Sequence, residues 1–354
     1  MSAFGVAGCA SVWNIFRTLV GSSRCPVNRA QFHRLCAGLH HLSPRQVSDL
    51  EARLSGLGDR MEALAALDAR GEEMRACPRC GAGALGRWGV DRRGLRRLRC
   101  RACKRTCSAT AGSPLAGLRR PEAFRAVLRD MIDADHPASC RRLAARLGVD
   151  KSTVWRWRMR ILAALERATR ALGGVVEADQ TTRRESRKGS REWVRHARDP
   201  EAHPKPPRPT WRDWRRLGLA LPLGHSPWRI PVLALVERAG DRRAGRLKDH
   251  NAPSLHAALE PALRRDAVLC SDGDGAFATF ARARGVTHYA IPAKHGPRVL
   301  PGAFHIQTVN NLHAALKDFL RPFKGPATRY LDGYLTWFMA RQRRQDPWLA
   351  MIAA

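Results

Sequence analysis

Two pairs of cysteines constrain this chain more than any other feature. Cys77-Pro78-Arg79-Cys80 and Cys100-Arg101-Ala102-Cys103 repeat one spacing across an interval short enough to bring four thiolates onto a single Zn²⁺. Gly81, Gly83 and Gly94 ease the turns between them. Residues 77–112 therefore read as a zinc ribbon with Cys77, Cys80, Cys100 and Cys103 as ligands, in which the metal supplies the folding energy of a small unit. Cys107 is a competing thiol whose spacing fits less well. A redox dithiol would need only one pair and a thioredoxin-like setting, which the flanking residues do not provide. Of the ten cysteines only these four form tight pairs, a usage that fits a reducing cytoplasm rather than an extracellular disulfide framework.

The formal charge of +32 over 354 residues makes polyanions the expected partners, with binding steeply dependent on salt. Nucleic acid leads and an anionic membrane surface is second. No apolar run reaches the ~18 residues of a membrane span. Residues 1–16 are uncharged and mildly apolar, and Val6-Ala7-Gly8-Cys9 imitates a lipoprotein cleavage box. A basic leader and a sustained apolar core are both missing, so the likeness is read as accidental. Between the cysteine pairs lie Arg87, Arg92, Arg93, Arg96, Arg97 and Arg99, with Trp88 among them. Arg96 and Arg97 are candidates for phosphate contact, against the plainer reading of a solvated face.

Residues 1–76 form an N-terminal helical region. Over residues 45–75, Leu50, Leu54, Leu57, Met61, Leu64 and Leu67 recur at helical spacing and predict one or two helices, either a packed pair or a docking or dimer surface. Residues 119–170 read as a DNA-binding helix-turn-helix region. In Ser139-Cys140-Arg141-Arg142-Leu143-Ala144-Ala145-Arg146-Leu147-Gly148-Val149-Asp150-Lys151-Ser152-Thr153-Val154, small Ala144, turn-forming Gly148 and apolar Val154 fall where close packing, a sharp turn and a core contact are needed. Ser152 is the expected cap of the second helix. That helix would enter a major groove with Lys151, Thr153, Arg156 and Arg158 as contacts, while Trp155 and Trp157 read as core.

Past residue 173 the texture becomes mixed. Gly174-Val175-Val176-Glu177-Ala178-Asp179-Gln180 is an apolar strand ending on a carboxylate, with Val175, Glu177 and Asp179 on one face. Residues 181–226 are polar and rich in Pro and Arg, and read as a long basic insertion. Two meandering strands follow, then alternating helix and strand, and two amphipathic helices close residues 174–342, leaving 343–354 as a tail. That order predicts a mixed α/β sheet with helices on both faces, the ribonuclease H-like arrangement. In it the first and fourth strands are neighbours, which sets Asp179 beside Asp272 of Ser271-Asp272-Gly273-Asp274. Two carboxylates so close suit a divalent cation, Mg²⁺ or Mn²⁺. Asp274 is the second candidate, and Glu177 reads equally as a surface residue. On the later helix Asn310 and Lys317 share a face, offering an amide oxygen to a metal and an ammonium to a phosphate. His305 and His313 read as structural.

Taken together, the sequence resembles bacterial insertion-sequence transposases that carry a zinc ribbon, a helix-turn-helix and an ISXO-like DDE-type catalytic domain. The residues carrying the likeness are the cysteine pairs with Arg105-Thr106 and Gly112-Ser113-Pro114-Leu115-Ala116; Glu177-Ala178-Asp179-Gln180-Thr181; Ser271-Asp272-Gly273; Gly302-Ala303-Phe304-His305-Ile306-Gln307; Val309-Asn310-Asn311; Leu316-Lys317; and Tyr330-Leu331-Asp332-Gly333-Tyr334-Leu335-Thr336-Trp337-Phe338. The resemblance implies a metal-dependent enzyme with Asp179, Asp272, Asn310 and Lys317 in its site. It also implies double-stranded DNA partners, namely terminal inverted repeats and a target, and a homodimer or higher oligomer in the active complex. Gln180 stands where the family usually has Glu, and the 181–226 segment is longer and more basic than usual. The rival readings are a repressor or domesticated relative that binds through residues 77–165 without cutting, and a nuclease of the same fold that does not join strands.

Overall fold

The computed structural model describes residues 28–91, 95–113, 115–165, 170–206, 215–219, 226, 228–291, 299–301, 304–343 and 351. The chain divides into two compact units, Met1–Val127 with Ile352–Ala354, and Leu128–Met351. No helix among the described residues is long and apolar enough to cross a membrane.

In the first unit, α1 (Arg29–Gly38) and α2 (Pro44–Glu73) each begin at a reciprocal capping box, Asn28 with Gln31 and Ser43 with Gln46. The leucine periodicity yields one continuous 30-residue helix, α2. Its C-terminal half buries Ala63 and Leu67, and Gly71 admits close packing because a Cβ there would lie 3.3 Å from that of Ala109. Arg96 ties the helix to the ribbon, its amide donating to Asp68 and its guanidinium pairing with Glu72 at 2.8 Å. The ribbon is an antiparallel sheet of β1 (Leu85–Val90), β2 (Arg96–Cys100) and β3 (Thr106–Ser108), in that order. The unit boundary falls inside the next helix, α3 (Pro121–Ile132).

The second unit holds the helix pair and the large sheet. Ser139 caps α4 (Cys140–Leu147), which ends at Gly148 in the left-handed conformation (φ 59°) that glycine adopts at least cost. The next helix, α5 (Lys151–Leu165), is capped by Asp150, which accepts the Ser152 amide at 2.7 Å; the expected cap, Ser152, already lies inside the helix. Asp150 accepts through a charged carboxylate, which suits the positive end of a helix dipole.

The sheet runs β6-β5-β4-β7-β8, comprising β4 (Val175–Arg184), β5 (Arg229–Glu237), β6 (Arg242–Arg246), β7 (Val268–Ser271) and β8 (Thr287–Ala290). The first strand of this sheet is antiparallel to the second and parallel to the fourth, so it is a mixed sheet with β4 at its centre. Strand β4 continues five residues beyond Asp179, because Gln180 to Arg184 pair without a break against Leu233 to Arg229. The segment expected to be a loop therefore opens as strand, and it also contains α6 (Glu192–Arg198).

Alternation along β4 separates two environments. Val176 and Ala178 join Leu233, Leu235, Leu269, Phe277 and Phe280 in the core under α7 (Ala252–Leu259) and α8 (Gly275–Arg284). Glu177 and Asp179 face the other way, towards α9 (Gln307–Leu320). Helix α10 (Leu331–Arg343) meets α9 through Phe319, Trp337 and Phe338, and lies along β6 and α5.

Candidate active site and metal centre

The parallel register of β4 and β7 sets Val175 beside Val268, Val176 beside Leu269 and Glu177 beside Cys270. Two residues further along each chain, Asp179 comes level with Asp272, on the same face. Burial holds the Asp272 carboxyl above its ordinary pKa, and the charges of Asp179 and Asp274 push it in the same direction. Asp274 is occupied in capping α8, its Oδ1 accepting the Ala276 amide at 2.8 Å. Two half-buried carboxylates side by side repel unless a proton or cation lies between them. Their hard oxygens fit Mg²⁺ or Mn²⁺.

Helix α9 is fastened beside this pair by the residue two positions before Asp179. Glu177 is 0% exposed. Its Oε2 accepts the amides of Thr308 and Val309 at 2.8 and 3.1 Å, and its Oε1 accepts the Thr308 hydroxyl at 3.0 Å. His305 Nδ1 and Arg238 Nε stand 3.1 and 3.4 Å from the same Oε1. The first amides of a helix have no partners within it, so a buried carboxylate there satisfies them and sits at the positive end of the dipole. Glu177 is thus an interior anchor, not a surface residue.

One turn further along α9, His313 Nδ1 lies 3.2 Å from Asp179 Oδ2, while Asp179 Oδ1 accepts the Gln180 amide at 2.7 Å. Asn310 and Lys317 are exposed on α9. At 3.6 residues per turn both lie within about 60° of His313 on the same side of the helix, about one turn before and one turn after the histidine that touches Asp179. Sequence reading passed over the roles of Glu177, His305, Thr308 and His313. The available signals were a carboxylate on the same strand face as Asp179, and a His-x-x-Thr spacing just before an apolar helix.

In the first unit the four predicted sulfurs converge. Cys77 Sγ and Cys103 Sγ are 3.8 Å apart, Cys80 Sγ and Cys100 Sγ are 3.7 Å apart, and all four lie within 4.8 Å of one another. A tetrahedron with Zn–S bonds of about 2.3 Å has edges of about 3.8 Å, so the cage matches Zn²⁺. The amides of Arg79 and Cys80 bring the Cys77 thiol down to about 7. The Cys103 amide lowers Cys100 likewise. The Ala82 amide acts in the same sense on Cys80, but burial and the neighbouring sulfurs push it up to about 11. Cys107 lies outside the cluster, its thiol raised by burial on β3.

The DNA-contact candidates divide. Lys151 and Arg156 are exposed on α5 and Thr153 is half-buried, with Arg156 Nη2 donating to its hydroxyl at 3.3 Å. Arg158 is 4% exposed, donates to Asp130 Oδ2 at 3.0 Å and to the Ala138 carbonyl at 2.6 Å, and lies over the Trp337 ring. It is a core ion pair and has no access to a phosphate, which corrects its assignment as a groove contact. Arg96 is engaged by Glu72, and Arg97 donates to the Thr106 hydroxyl at 3.2 Å. Trp155 meets Tyr330 edge to face at 5.2 Å, a packing contact.

No protein-family model matches this chain, and no curated protein matches it. Among solved structures it is similar to the crystal structure of a pre-cleavage Mos1 transpososome, at 13% identity and a TM-score of 0.22, over 64% of this chain and 77% of that one.

Proposed function

We propose that this chain is a DNA transposase of the insertion-sequence type, with a zinc ribbon, a helix-turn-helix and a ribonuclease H-like catalytic domain. It would cut phosphodiesters at the ends of its element and join the freed 3′-hydroxyls to target DNA. The observation that carries the reading is the register of β4 and β7, which brings Asp179 level with Asp272 at the centre of a mixed sheet. Bound Mg²⁺ or Mn²⁺ would supply activation of the attacking oxygen and stabilisation of the leaving one. Asp179 and Asp272 would hold the ions, with His313 fixing the orientation of Asp179. Asn310 would complete the ligand set, and Lys317 would neutralise a phosphate beside it. Zn²⁺ on Cys77, Cys80, Cys100 and Cys103 would be structural. Terminal inverted repeats would be read through Lys151, Thr153 and Arg156, with the ribbon arginines adding phosphate contacts. Synapsis of two ends requires at least a dimer, and the cytoplasm is the compartment in which such DNA is met.

The test is cleavage of a labelled duplex carrying the end of the DNA element that encodes the chain, in Mg²⁺, in Mn²⁺ and in EDTA. Metal-dependent nicking at the element boundary is expected, falling roughly 10²–10³-fold or more in Asp272→Ala. Specific binding with no nicking in either metal would overturn the enzyme in favour of the repressor-like rival.

A further inference from the structure

Arg183 is a cation that the assignments above leave unused. The unbroken pairing of β4 with β5 keeps strict alternation, so Glu177, Asp179, Thr181 and Arg183 share one face. The guanidinium is half-buried, and its Nε and Nη2 are both inaccessible to solvent and without a hydrogen-bond partner. Burial lowers its pKa, a sign of a cation held in poor solvent. By contrast Arg158, at 4% exposed more deeply enclosed than the half-buried Arg183, gives its Nη2 to Asp130 and the Ala138 carbonyl, although its Nε also has no partner. A buried donor left unpaired costs about 1–3 kcal/mol, and more when it is charged. Such a cost persists where it serves a ligand.

Its place in the fold says which ligand. Helix α9 keeps step with β4: Thr308 and Val309 meet Glu177, and His313 meets Asp179. The helix advances about 1.5 Å per residue and the strand about 3.3 Å, so Lys317 comes level with Thr181. Beyond the strand the two paths still touch, where the Ser186 amide donates to the Thr328 hydroxyl at 2.8 Å. Arg183 lies between these levels, about 13 Å along the strand from Asp179, or a few nucleotides on a strand with one phosphate per 3.4 Å. The face thus changes along its length from carboxylates to cations, as a strand of phosphates leaving a metal site requires.

We infer that Arg183 is a phosphate-binding residue, which takes one backbone phosphodiester of the DNA strand a few nucleotides from the bond cut at Asp179 and Asp272. This inference rests on the proposed function, but its test does not need cleavage. A 30-bp duplex spanning the element boundary is prepared with single neutral methylphosphonates at successive positions, and its binding is measured without Mg²⁺ or Mn²⁺, and without chelator, for the wild type and Arg183→Met. Met keeps the length of the apolar stem and removes the buried charge. The variant is expected to bind the unmodified duplex about 10-fold more weakly, the worth of one charge-assisted hydrogen bond. One methylphosphonate position that weakens the wild type should cost the variant nothing. The unfolding temperature of the variant should equal or exceed that of the wild type, where a structural arginine would lower it. Identical methylphosphonate profiles, or a destabilised variant with unchanged affinity, would overturn Arg183 while leaving the nicking result untouched. Conversely, a wild type that binds but never nicks would overturn the enzyme and leave this cycle readable.

Discussion

Glu177 accepts hydrogen bonds from Thr308 and Val309 and is approached by His305 and Arg238, yet it has no solvent contact. Removing one partner from such an arrangement strands the others, at a cost of about 3–5 kcal/mol. Glu177→Ala should therefore lower the urea midpoint by that equivalent, and Glu177→Gln, which keeps one acceptor oxygen, by less. Any nicking activity should fall with both, since α9 carries His313, Asn310 and Lys317. An unchanged midpoint in Glu177→Ala would remove the anchor from the account. The two aspartates were legible in the sequence because each ends an apolar run, a local pattern. Glu177 was not, because one carboxylate in a strand carries no mark of which helix covers it, and that helix lies 131 residues away. His313 was set aside for the same reason, since its partner is on another element.

At the scale of elements, α5 sorts Arg156 from Arg158 by what packs behind it. Arg156 faces outwards and, among the described residues, donates within its own helix to Ser152 and Thr153, whereas Arg158 is tied to Asp130 of α3. Arg156→Ala should leave the unfolding temperature unchanged and weaken duplex binding by about 1–3 kcal/mol. Arg158→Ala should destabilise the fold by about 3–5 kcal/mol, because the Asp130 carboxylate is left buried and unpaired. Thermal melts beside binding isotherms separate the two, and a pair of variants alike in both measurements would sink the distinction. The helix pair itself was legible from Ala144, Gly148 and Val154, whose spacing encodes the turn. Which side of α5 turns inwards was not, because α3 and α10 decide it. Strand β4 outran its expected end for a comparable reason: Thr181 and Thr182 look polar in sequence, but they are β-branched and find ladder partners in Val232 and Pro231.

At the scale of the whole chain, the two units draw on different sources of stability. The ribbon buries few large side chains beside its cysteine cage, whereas the sheet has a continuous apolar core. Removal of the metal should therefore act on one unit alone: with EDTA or a thiol-reactive mercurial, residues 77–112 should become open to protease while β4, β5 and β7 keep their amide protection. Loss of both together would mean that the metal supports the entire chain. The sheet order was legible because strand and helix alternation is written in the sequence, and the cysteine cage because its spacing is nearly self-sufficient. The contacts also differ in reach. The Arg158–Asp130 pair spans 28 residues, while Glu177 waits for Thr308 across 131. At about 5–20 residues per second, a ribosome needs on the order of 7–26 s to bridge the longer interval. A nascent chain therefore completes the ion pair between α3 and α5 well before α9 exists, so that during each round of synthesis the element proposed to hold DNA arrives before the helix that closes the proposed site of cutting.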